Sequence, residues 1–106
     1  MSDAIWQFVL ELVPEKSHPE FGNVEGAFAV CYVSSKTAAL ALERASAFLK
    51  LDLWNILSVD VTPRRLTRSD LSDAEVCAKF DQASIDGEVY VLHSWSFADA
   101  SERPRH

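Results

Sequence analysis

Four segments of this chain alternate in side-chain character with a period of two, and both faces of the alternation carry apolar groups. A pleated strand sends successive side chains to opposite faces. A sheet built from such strands therefore needs cover on both sides. In AIWQFVLELV, residues 4–13, Trp6, Phe8, Leu10 and Leu12 share one face, and Ile5, Gln7, Val9, Glu11 and Val13 share the other. A helix competes here, because Leu and Glu are good helix formers; Trp6, Phe8 and Val9 favour the strand. In GAFAVCYV, residues 26–33, Ala27, Ala29, Cys31 and Val33 form a small-residue face and Phe28, Val30 and Tyr32 a bulky one. LWNILSVDVT, residues 53–62, alternates again up to Pro63, which limits how far that strand stays paired. EVYVLHSWSF, residues 88–97, places Val89, Val91, His93, Trp95 and Phe97 on one face and Tyr90, Leu92, Ser94 and Ser96 on the other.

Two helical patterns separate these strands. From Lys36 to about Lys50 the chain is rich in alanine and leucine, with Ala38, Ala41, Leu42, Ala45, Phe48 and Leu49 on one stripe. Ser34-Ser35 offers its N-cap. In residues 69–87, Ser72 and Glu75 have the spacing of a capping box, and Leu71 and Val76 that of a hydrophobic staple. Val76, Phe80 and Ala83 give a thin apolar stripe, and Gly87 suits a left-handed C-terminal cap. Residues 14–25, with Pro14, Pro19 and Gly22-Asn23, read as a long loop.

The expected order is β-β-α-β-α-β. It predicts an α+β or split βαβ domain, its sheet antiparallel or mixed, with both helices on one face. At the level of architecture this resembles the ferredoxin-like group of folds, from which the N-terminal hairpin departs. Residues 1–106 fit one domain, with a tail expected to fray from about residue 98.

A net charge of -6 argues against general attraction to nucleic acid or anionic membranes. The basic cluster Arg64, Arg65 and Arg68 is diluted by Asp60, Asp70 and Asp73 and reads as a charged surface loop. No run approaches the ~18 consecutive apolar residues of a membrane helix. The N-terminal stretch lacks a basic region before its apolar run, so a cytoplasmic protein is expected. Cys31 and Cys77 are far apart and read as free thiols in a reducing compartment. Gly22, Gly26 and Gly87 are the only glycines, so no phosphate-cradling loop can be written, and no Gly-x-Ser-x-Gly elbow is present. No cofactor is expected. Glu15, His18 and Glu20 match no recognised ligand spacing, and no metal site is expected either.

Within this frame His93 is either a hydrogen-bonded core imidazole or a group that works at a site or an interface. Catalysis would enlist Tyr90 or Asp60 with His93 in an aromatic pocket, as a small cofactor-free enzyme. Asp60, if buried, would look to Arg65 or His93 for a partner. An uncovered aromatic face of several hundred Å² is unusual for a monomer. Trp6, Trp54, His93, Trp95 and Phe97 are the residues expected at an interface or ligand face. A second copy across a two-fold axis is the expected cover; a small apolar ligand, another protein or the 14–25 loop are the alternatives. The leading expectation is a homodimeric binding protein of accessory, regulatory or immunity type.

Overall fold

The structure, a computed structural model, describes residues 3–97. The expected fraying tail lies outside the described residues. The elements are β1 (Ala4–Pro14), β2 (Val24–Ser35), α1 (Ala38–Leu51), β3 (Trp54–Leu66), a 3-10 turn (Arg68–Asp70), α2 (Ala74–Asp86) and β4 (Glu88–Ser96). The four strands form one antiparallel sheet in the order β3-β1-β2-β4. The α+β class and the element order are as expected. Because β1 lies between β2 and β3, the β2-α1-β3 segment is a split βαβ unit. The strand order differs from that of the ferredoxin-like folds.

The two helices lie on opposite faces, not on one. Ala41, Ala45 and Leu49 of α1 pack against Phe8, Leu10 and Leu12 of β1 and Ala27, Ala29, Cys31 and Val33 of β2. Small residues on both sides of this contact let helix and sheet approach closely. Val76, Phe80 and Ala83 of α2 pack against Ile5, Val30, Tyr32, Leu66 and Val89, whose side chains leave the other face. The physical reason is the topology: α1 returns over β1 on one face, while α2 links the two edge strands and takes the remaining face. Amphipathic periodicity shows that a helix has a buried stripe, not which sheet face receives it. This also explains why the central strands are apolar on both sides.

The caps differ by a residue or two from expectation. The Thr37 hydroxyl, rather than Ser34 or Ser35, accepts the Leu40 N–H at 3.1 Å. The Asp73 carboxylate, rather than Ser72, accepts the Val76 N–H at 3.0 Å. Leu71 and Val76 do meet in one cluster. Gly87 closes α2 at φ 91°, in the left-handed region that favours glycine.

Strand β3 runs through Pro63 to Leu66, beyond the expected end. It can do so because it is an edge strand, where a missing N–H costs no ladder bond. Its register against β1 slips between Gln7 and Val9, Val9 and Leu10, and Glu11 and Leu12, setting Thr62 and Pro63 together opposite Phe8 and leaving Asp60 and Leu57 as bulge residues. Loop 15–23 folds onto the α1 side, where the His18 ring packs on Trp54 at 4.5 Å between centroids and Trp54 becomes buried.

Candidate functional site

The sheet face that carries α2 is covered at one end only. The helix packs over Ile5, Tyr32, Leu66 and Val89. Further along the same face lie Val9, Glu11 and Val13 of β1, Gly26 and Phe28 of β2, Val61 of β3, and Val91, His93 and Trp95 of β4. Val9, Val13, Phe28, Val91 and Trp95 are half-buried, whereas His93 and Val61 are exposed.

One end of this half-face is built around Gly26. The Trp95 ring lies over it so closely that a Cβ at position 26 would sit 2.7 Å from Cζ2. The Trp95 indole N–H donates to Glu25 Oε1 at 2.8 Å, and Phe28 packs against the ring at 5.0 Å between centroids. A carboxylate is thereby fixed at the border of an aromatic patch. A second carboxylate, Glu11, accepts from the Ser58 hydroxyl at 3.3 Å. At the α2 end, Tyr32, Val76, Lys79, Val91 and His93 line a cleft of about 120 Å³.

The expected interface residues are divided by the fold. His93 and Trp95 share the half-face. Trp54 is buried in the α1 cluster, and Trp6 packs against that cluster and donates its indole N–H to the Ser35 carbonyl at 3.1 Å. Phe97 lies beyond β4 and lines an apolar cleft with Val13, Phe21 and Val24. The sequence grouping failed because Trp6 and Trp54 belong to strands whose paired positions face α1. Nor is His93 a core imidazole; it sits on an edge strand and is exposed.

The candidate catalytic residues do not converge. Tyr90 faces the α1 side, stacks on Phe48 at 4.5 Å and donates to Glu88 Oε1 at 2.6 Å. Arg44 pairs with the other oxygen of Glu88 at 2.8 Å. Burial, and then the hydrogen bond to Glu88, push the Tyr90 phenol above its ordinary range, so it stays protonated. His93, three residues on, faces the opposite side. Asp60 is an exposed bulge residue on the far edge strand, with β1 and β2 between it and β4. A Tyr90–His93–Asp60 constellation cannot assemble in this chain.

Burial pushes the Cys31 thiol up to about 12, and its sulfur lies 3.5 Å from the Ala29 carbonyl. It is a core group, not a nucleophile. Cys77 is half-buried and also free. His18 Nδ1 accepts the Glu20 N–H at 3.0 Å, and among the described residues no group of three His, Cys, Asp or Glu side chains could hold a cation. Arg68 pairs with Asp81 at 3.0 Å, and Arg64 donates to Gln7 at 2.9 Å, so the basic cluster is partly engaged within the chain. No described helix is long and apolar enough to cross a membrane.

Glycine 26 was the signal for the aromatic corner. A glycine inside a strand pattern marks a place where something approaches the backbone closely, and here it is Trp95. No protein-family model, no curated protein and no solved structure matches this chain.

Proposed function

We propose that this chain is a binding module that works as a homodimer, and that the uncovered half-face docks a basic segment of a partner protein. The observation that carries this reading is the half-face itself. It combines an aromatic and aliphatic floor with two carboxylates, Glu11 and Glu25, at its surface. Half-buried aromatics fit the core of a protein interface, and the carboxylates fit charges that fix orientation. The net charge of -6 adds long-range attraction for a cationic partner. The scatter of Tyr90, His93 and Asp60 weighs against the enzyme alternative, and a small apolar ligand fits an open, carboxylate-bordered face poorly.

The likeness to ferredoxin-like sheets rests on the split β2-α1-β3 unit. It carries no functional residue.

The test is a nuclear magnetic resonance titration with a short peptide of alternating Arg and Phe. The reading expects shifts at the Trp95 indole N–H, Val9, Val13 and Phe28, weakened by salt and by Glu25→Lys. Shifts confined to α1, or no shifts at any peptide concentration, would overturn it.

A further inference from the structure

We infer that a second copy of this chain pairs with β4 edge to edge, extending the antiparallel sheet across a two-fold axis through Leu92. This rests on the homodimer reading and specifies its surface.

The two edges of the sheet are built differently. Strand β3 carries Asp60, Pro63, Arg64 and Arg65 and three register slips, all features that refuse an added strand. Strand β4 runs nine residues with no proline, lysine or arginine. Its pairing with β2 is regular from Val33↔Glu88 to Gly26↔Trp95. Among the described residues no strand pairs with its outer edge.

The backbone phase sets the register. The Ser34 N–H donates to the Gly87 carbonyl at 2.9 Å. In an antiparallel ladder the bonded positions alternate. The N–H and C=O groups of Tyr90, Leu92 and Ser94 therefore point away from β2. Leu92 is also the midpoint of Glu88–Ser96. A two-fold axis there pairs Leu92 with Leu92 of the second copy and Tyr90 with its Ser94.

The charges allow this pairing. Glu88 is the one charged side chain on β4 and is already paired with Arg44. The axis sets it opposite Ser96 of the second copy, so no like charges meet. Leu92 is 37% exposed and would lose that exposure against its own counterpart. The strand offers an edge about 30 Å long and, at the thickness of one sheet layer with its side chains, about 10 Å deep. Roughly 300 Å² per copy is well below the ~800 Å² of a standard interface, which suits a weak, concentration-dependent dimer. On the uncovered face the pairing places Val91 beside His93 of the second copy. The cleft under α2, lined by Val91, His93 and Lys79, then gains a wall that one chain lacks, and the two half-faces join into one platform.

Residue-resolved hydrogen exchange from dilute to concentrated protein, with light scattering on variants, tests this. Tyr90, Leu92 and Ser94 amides should slow by at least about tenfold as the dimer forms. Leu92→Lys should remain a folded monomer of 11.8 kDa, and Val61→Lys, on the opposite edge of the half-face, should still dimerise. Ser94→Lys, at an already exposed position, gives the same answer if Leu92→Lys fails to fold. A dimer that survives both β4 variants but is lost in Val61→Lys overturns the edge pairing and leaves the homodimer standing. A wild-type monomer at every concentration overturns both. Protection of these amides that does not change with concentration overturns the edge pairing alone.

Discussion

Adding one methyl group at position 26 tests the aromatic corner. In Gly26→Ala the new Cβ lies 2.7 Å from Trp95 Cζ2 and 3.0 Å from the Leu12 carbonyl oxygen. The first distance is too short for a non-bonded carbon pair, so the ring must move. It is held by its hydrogen bond to Glu25 and by Phe28, so the move is resisted. Overpacking of this kind costs about 1–3 kcal/mol. Replacing glycine where φ is ordinary returns about 0.4–1 kcal/mol by narrowing the unfolded ensemble. The net expectation is a loss of roughly 1 kcal/mol, with a red-shifted tryptophan emission. Urea unfolding of wild type, Gly26→Ala, Trp95→Ala and the double variant completes a cycle. In the Trp95→Ala background the same methyl should be neutral or stabilising, giving a coupling of about 1–2 kcal/mol between the two sites. A stability and emission unchanged by Gly26→Ala, or a coupling near zero, would show that Trp95 does not rest on Gly26.

Leu49→Ala removes a fully buried α1 side chain from the main core and should cost about 2–5 kcal/mol in the same assay. Asp73→Ala should cost about 1 kcal/mol through the lost cap on α2, while Ser72→Ala should be nearly neutral, which reverses the ranking a capping box implies. Burial pushes Cys31 from its ordinary value of 9.0 to about 12. The unfolded thiol ionises above pH 9 while the folded one stays protonated. Stability should therefore be intact below that pH and fall towards pH 12, by up to about 1.4 kcal/mol per unit. Tyr90 adds to the fall in the same direction once the unfolded phenol ionises, and Cys31→Ala should flatten the part due to the thiol, as read by urea midpoints against pH. With a thiol reagent at neutral pH, Cys77 should be modified well before Cys31.

The strands and helices were legible because periodicity is a local property. The alternation in residues 4–13 and the stripe of Ala41, Ala45 and Leu49 each report one element's own buried face. What lies opposite that face is set by pairing between distant segments. Trp6 and Trp54 looked like companions of Trp95, yet the registers Trp6↔Val33 and Pro14↔Trp54 turn them towards α1. The apolar character of both faces was read as a demand for a second copy, and α2 meets part of that demand from within the chain. His93 looked interior because Val91 and Trp95 flank it, but β4 is an edge strand, and on that face α2 packs on Val89 while His93 stays exposed at the rim of the cleft beside the helix. Pro63 looked like a strand end and is instead tolerated on a bulged edge.

The central claim is that a second copy completes this protein, and the solution mass tests it most directly. Light scattering on a sizing column, over a range of loading concentrations, should show the mass rising to twice 11.8 kDa as concentration increases. A mass fixed at 11.8 kDa throughout would contradict the claim and leave the half-face and the β4 edge open in a monomer.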